Sequence, residues 1–198
     1  MSKTPVQVRP EATRRHLSER QARTVDGLVD AALAELRATG YADLTVRNVA
    51  RRAGVAPATA YTYFASKEHL VAEVYWRRFV AQPDGPADTS VDAVGRTVQA
   101  LSAFALVVAD EAELSAACTV AVLAEDPDVK VLRARIGNEL HRRLHAALGD
   151  GVDPAVLRTL QFATAGALLQ VGTGHLGYDE LPHLLDEVAR TVLGGTLP

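Results

Sequence analysis

The sequence predicts an all-α protein of about nine helices, and three observations point there. Apolar residues recur at helical intervals through most of the chain. The breaks between these stretches carry helix start and stop signals, and no segment sustains the alternation of β-branched residues that a strand needs. The chain has 198 residues, 48% of them hydrophobic and only 5% aromatic, which is enough to bury a substantial core built mainly from Ala, Leu and Val.

Residues 1–17 read as a flexible basic arm. Its Lys3, Arg9, Arg14 and Arg15, with Arg20 just beyond, could reach a nucleic-acid backbone or minor groove, the alternative being a tail that only solubilises. Ser18-Glu-Arg-Gln21 has the spacing of a capping box, and Val25, Leu28, Val29, Ala32, Leu33 and Leu36 then recur on one face until Gly40 stops the run. Thr45 is an N-cap for a short helix through Arg52, which Gly54 ends. Pro57 opens another short helix, to Phe64, and Ser66 caps a third that carries Leu70, Val71, Val74, Tyr75 and Phe79. The Pro-, Gly- and Asp-rich stretch QPDGPADTS, residues 82–90, is a linker. Beyond it, helices are expected over about 91–110, 114–125, 127–148, from 154 to the glycines at 172–177, and over about 179–193. The domains are thus a head at 18–81 and a body at 82–198.

Charge divides at the same place. Up to residue 81 there are 13 Lys plus Arg against eight Asp plus Glu, and beyond it eight against 16, so a net −3 conceals a +5 front and a −8 remainder. A basic front is suited to a polyanion, whereas the body is not. A single cysteine, Cys118, excludes an internal disulfide and a cysteine-rich zinc site. No signal-peptide pattern or membrane-length apolar run is visible, so a soluble, cytoplasmic protein is expected.

Two short helices across a Gly turn make a helix-turn-helix, whose second helix enters the DNA major groove by its N-terminal end. Here that end is Pro57, Ala58 and Thr59, with Tyr61 one turn on. Ala58 and the Thr59 methyl suit a thymine methyl, and the Thr59 hydroxyl can donate or accept. Tyr61, Tyr63 and Lys67 are candidates for phosphates, while Thr45 and Arg47 start the supporting helix against the other strand.

The stretch LTVRNVARRAGVAPATAYTYFASKEHLVAEVY, residues 44–75, resembles the DNA-binding domain of TetR-family transcriptional regulators. The shared pattern is Thr-Val-Arg, Ala-x-x-Ala-Gly-Val, Tyr-x-Tyr-Phe and Ser-Lys-Glu-x-Leu, and with Gly40-Tyr41 it extends over about residues 20–80. Carried over by position, Thr45, Arg47, Pro57, Ala58, Thr59, Tyr61, Tyr63 and Lys67 are the expected DNA contacts. Ala56 stands where the family often has Ser, which removes a side-chain cap at a typical cost of ~1 kcal/mol. Ala58 stands where Gly is frequent, adding a methyl at the base-facing surface.

The resemblance implies a C-terminal domain that binds a small effector and dimerises through its last two helices. The residues support dimerisation on their own terms. Leu181, Leu184, Leu185, Val188 and Val192 form a wide apolar stripe on the last helix, and Leu157 and Leu168 lie on the preceding one among small residues. The alternative is that both helices are spent on the monomer's core. Candidates for lining an effector pocket are Trp76, Phe79, Gln99, Phe104, Cys118, Thr119, Asn138, His141, Gln161 and Phe162.

Three further features are assigned to structure. Gly172-Thr-Gly-His-Leu-Gly177 spells GxGxxG without a preceding strand and reads as a helix terminus. His141 and His145 lack an evident third metal ligand, and Cys118 lacks a base. No cofactor, metal or catalytic constellation is expected. The partners expected are a double-stranded DNA operator, a small apolar or amphipathic effector and a second copy of the chain, with no membrane. The competing reading is a helical ligand-binding or enzymatic module with an accessory or degenerate DNA-binding head. Sequence does not separate repressor from activator.

Overall fold

The computed structural model describes residues 18–84 and 91–194. The basic arm and part of the linker, residues 85–90, lie outside them. Nine helices and no strand occur among the described residues. They are α1 (Glu19–Asp43), α2 (Val46–Arg52), α3 (Pro57–Tyr63), α4 (Lys67–Ala81), α5 (Ala93–Ala105), α6 (Ala112–Ala121), α7 (Pro127–Leu148), α8 (Pro154–Gly172) and α9 (Leu181–Gly194).

Local caps fix most of these boundaries. Ser18 and Gln21 form both arms of the capping box, Thr45 Oγ1 accepts from Asn48 N, and Ser66 Oγ accepts from His69 N. Asp126 and Asp153 cap α7 and α8, each followed by a proline at the first helical position. Ala56 makes no side-chain cap, so α3 starts from Pro57 and the backbone alone. Gly40 bends rather than ends its helix: at φ 73° and ψ 172° it kinks α1, which resumes for a few residues to Asp43.

Two further expected boundaries differ, and a third agrees. α5 stops at Ala105 and not near residue 110, and α6 stops at Ala121 and not near 125. Just beyond each end an arginine from another helix donates to a free carbonyl: Arg78 to Val107 O and Arg133 to Val122 O. α8 closes at Gly172, so the GxGxxG segment is the helix end and the turn after it.

A single apolar cluster runs through head and body. In the head it gathers Val25, Leu28, Leu36, Leu44, Val49, Phe64 and Leu70, and in the body Phe79, Leu101, Leu114, Leu144, Leu160 and Leu181. α4 belongs to both parts, packing on α1 on one side and on α6 and α7 on the other. Truncating Phe64 or Phe79, each fully buried, to Ala would cost ~3–5 kcal/mol.

Among the polar contacts that join head to body, three sets stand out. Arg37 of α1 and Arg78 of α4 both bind the Glu111 carboxylate before α6, with Arg37 Nε 2.9 Å from Oε2 and Arg78 Nη2 3.1 Å from Oε1. The hydrogen bond from Arg37, opposed by burial and reinforced by the charges of both arginines, holds the Glu111 carboxyl below the usual carboxylate range. Ser66 Oγ donates to Asp126 Oδ2 at 2.6 Å, bringing the starts of α4 and α7 together. Arg143 of α7 reaches the end of α4, where its guanidinium donates to the carbonyls of Phe79, Gln82 and Pro83, each at 3.2 Å.

Candidate nucleic-acid interface and body sites

α2 and α3 are held in a tight helix-turn-helix by residues whose types follow from their places. Ala50 and Ala60, both fully buried, allow the close approach of the two helices. Gly54 takes φ 66° in the turn, where a side chain would be strained, and Val55 N returns to Ala50 O at 2.9 Å. The packing of Ala60 and Phe64 inward turns the opposite side of α3 to solvent.

That solvent side carries Pro57, Ala58, Thr59 and Tyr61, the last 46% exposed. Thr45 and Arg47 are also exposed, at the start of α2. Six of the eight predicted DNA-contact residues therefore share the surface of the helix-turn-helix. Two are turned inward. Tyr63 is only 7% exposed and packs in the core, because it falls on the same side of α3 as Ala60. Lys67 lies 4.3 Å over the Tyr41 ring and donates to Tyr41 O at 2.9 Å and Ala42 O at 3.4 Å. Its ammonium thus caps the end of α1 instead of standing free for a phosphate. Sequence reading passed over Arg51, which is exposed and makes no ion pair among the described residues, unlike Arg52, bound to Glu35 at 2.6 Å. The only sequence signal for Arg51 is the run of two arginines before the turn.

Of the ten residues proposed for an effector pocket, only Phe79, Phe104 and Cys118 gather in one place. Phe79 and Phe104 join Tyr75 in an aromatic cluster with centroids 5.1–6.4 Å apart, and Tyr75 donates its hydroxyl to Phe104 O. Cys118 is buried close to Tyr75, and burial pushes its thiol up to about 12, so it is protonated at neutral pH and behaves as a small hydrophobe. Trp76 packs on the other side of α4 against Val129 and Leu132. Thr119 abuts Gly172, where a Cβ would collide with it at 2.4 Å. The Gln161 amide donates weakly to Gly137 O at 3.4 Å. Gln99, Asn138, His141 and Phe162 face solvent, Phe162 being 74% exposed, because the inward sides of their helices are already filled by alanines and leucines. No group of three or more His, Cys, Asp or Glu is placed to hold a metal among the described residues.

The stripe on α8 and α9 divides in the same way. Leu157, Leu181 and Leu185 are buried in the protomer's own core, and Leu168 packs half-buried against it. Leu184, Val188 and Val192 instead border a shallow surface groove of about 310 Å³ with Ala163, Glu187 and Thr191. On α8, Phe162 and Leu169, 54% exposed, add apolar surface two turns apart. The stripe is wide because it serves two sides.

None of the described helices is long and apolar enough to cross a membrane. The description "Bacterial regulatory proteins, tetR family" matches residues 28–74. An uncharacterized HTH-type transcriptional regulator of Mycobacterium tuberculosis is 47% identical over 191 residues, covering 96% of this chain and 89% of that protein. The HTH-type transcriptional repressor KstR of Mycolicibacterium smegmatis is 38% identical over 85 residues, 43% of this chain and 41% of its own length. Among solved structures, a TetR transcriptional regulator from Rhodococcus sp. RHA1 superimposes with a TM-score of 0.73 at 20% identity, covering 91% of this chain and all of that one. FadR of Thermus thermophilus, a TetR-family transcriptional repressor solved with lauroyl-CoA, gives 0.64 at 20% identity, over 88% of this chain and 95% of its own.

Proposed function

The chain belongs to the TetR family of helix-turn-helix transcriptional regulators, and from that premise we propose that it acts as a homodimeric repressor, released from a palindromic operator by a small apolar or amphipathic effector. The observation that carries this reading is the pairing of an exposed recognition-helix start, Pro57–Ala58–Thr59, with an exposed apolar groove on α8 and α9. Two heads joined through that groove would read half-sites about 34–36 Å apart or at multiples of that distance. The likeness to a KstR repressor supports repression over activation.

The effector belongs in the body around Tyr75, Phe79, Phe104 and Cys118, where apolar rings surround a few polar groups. Occupancy there would press on α4, which runs without interruption from the head to this cluster. The lauroyl-CoA of the Thermus protein makes acyl-CoA thioesters the first amphipathic class to screen. A thioester that releases a bound duplex supports the relay, whereas one that binds tightly and leaves DNA affinity unchanged would sink it.

The head supplies a sharper test. Replacing Thr59 by Val is expected to change preference at one base pair of each half-site, by ~1–3 kcal/mol. Replacing Arg47 by Ala is expected to weaken all sequences alike and to lower the salt slope by about one. Competition titrations with single-base operator variants read both effects. Uniform weakening by Thr59→Val would place the recognition surface elsewhere.

A further inference from the structure

Glu73, in the middle of α4, is 0% exposed. Its Oε1 accepts from Arg77 Nε at 2.7 Å, and Arg77 Nη1 extends to Asp26 of α1 at 2.5 Å. Its Oε2 is equally buried and has no hydrogen-bond partner among the described residues. Buried carboxylates ordinarily satisfy both oxygens, so one left bare at a joint between two parts of a molecule calls for a role. The charged groups that act on it come from three helices: Arg77 on α4, Asp26 on α1 and Arg135 on α7. One turn earlier on α4, His69 lies 3.7 Å from Asp128 of α7. On the α7 side the seam is otherwise apolar, with Ala72, Val129 and Leu132 packed together and Trp76 against them.

We propose that Glu73 is a proton-operated switch at the joint between the reading head and the body. With its proton on, the side chain lies neutral in the seam, and Arg77 serves Asp26. When the proton leaves, Oε2 becomes a bare anion in a nearly dry seam, and Arg77 is already shared. Among the described residues the one further cation that acts on it is Arg135, so ionisation draws α7 toward α4 at this point and shifts the helix that carries the head. Burial, only partly offset by Arg77 and Arg135, pushes the carboxyl up to about 7, which puts the change at neutral pH. The raised folded value also sets the sign of the stability effect. The contribution of Glu73 is fully present below the usual carboxylate value and is lost as pH rises through about 7. The consequence for DNA rests on the reading of the head given above, but the switch does not.

Trp76 is the single tryptophan of the chain and sits three residues from Glu73 against the same seam, so it reports the joint without DNA. Its emission in the full-length protein, titrated between pH 5 and 9, is expected to change with a midpoint near 7. In Glu73→Gln the change should vanish with the helical content kept. In Arg135→Gln the midpoint should rise, because a cation that favours the carboxylate is gone. A change that persists in Glu73→Gln would assign it to His69 and overturn the proposal, as would a midpoint that Arg135→Gln leaves in place. Should Glu73→Gln fail to fold, the carboxyl carbon of Glu73 in the native protein is titrated by NMR. A midpoint in the ordinary carboxylate range would then overturn the switch. If the switch stands, wild-type affinity for a selected duplex should depend on pH across the same window and Glu73→Gln affinity should not. Failure of that arm alone would count against the reading of the head.

Discussion

If the proposed homodimer forms through the groove on α8 and α9, Val188→Glu is expected to give a folded monomer and to lower operator affinity by about 10²–10⁴-fold, the contribution of binding a second half-site within one complex. α9 has two different sides. Leu181, Leu185, Ala189 and Leu193 point into the protomer and are essentially inaccessible. Val188 lies between them in sequence but on the other side, half-buried at the edge of the groove with Leu184 and Val192. A carboxylate there faces solvent in the monomer and costs the fold little, yet in a symmetric interface it would meet its own copy across a dry contact. Sedimentation velocity and an operator titration read both halves of the result. Leu185→Glu is the contrasting substitution, because it places the same charge in the core and should unfold the body. A Val188→Glu protein that stays dimeric would remove α9 from the interface.

The second large effect is on stability. Arg143→Ala is expected to cost ~3–5 kcal/mol, the usual range for deleting one member of a buried charged network. For a chain of this size that corresponds to a fall in melting temperature of roughly 10 °C. Arg143 is 2% exposed, stacks 4.4 Å from the Phe79 ring and donates to Glu139 and to three carbonyls at the end of α4. Truncation would remove this donor from Phe79 O, which would keep only Gln82 N, and from the Gln82 and Pro83 carbonyls just past α4, where the helix dipole already places negative charge. Arg143→Lys keeps the charge but loses the planar fork that spans several acceptors, so an intermediate loss is expected. Thermal melts of the two variants check the order. A melting temperature unchanged in Arg143→Ala would mean that this end of α4 is held by apolar packing alone.

The difference between what was legible in the sequence and what was not follows the range of the interaction. Ser18, Thr45, Ser66, Asp126 and Asp153 act on backbone groups two or three residues away, and the starts they mark agree with the structure. The early ends of α5 and α6 carry no such local mark, and the carbonyls just past them are met by Arg78 and Arg133 from other helices. Helical periodicity shows that a stripe is apolar but not how many neighbours share it. Leu181 and Val188 are therefore alike in sequence, although the first is fully buried and the second is half-buried at the rim of the groove. The same ambiguity scattered the effector candidates: Phe79 and Phe162 are both aromatic residues on amphipathic helices, yet one is fully buried and the other mostly exposed. Lys67 looked like a free cation until the fold brought Tyr41 beneath it, 26 residues away in sequence. Glu73 gave even less warning, because its i, i+4 pairing with Arg77 is also what an exposed helix face would show.

The measurement that bears most directly on the central claim is a selection of bound duplexes from a random pool by the full-length protein at two salt concentrations. An inverted repeat whose half-sites sit whole turns apart, bound with an affinity that falls steeply as salt rises, is the expected result. Failure to enrich any sequence, with binding that is weak and insensitive to salt, would contradict a DNA-reading dimer and leave the body as the functional part of the chain.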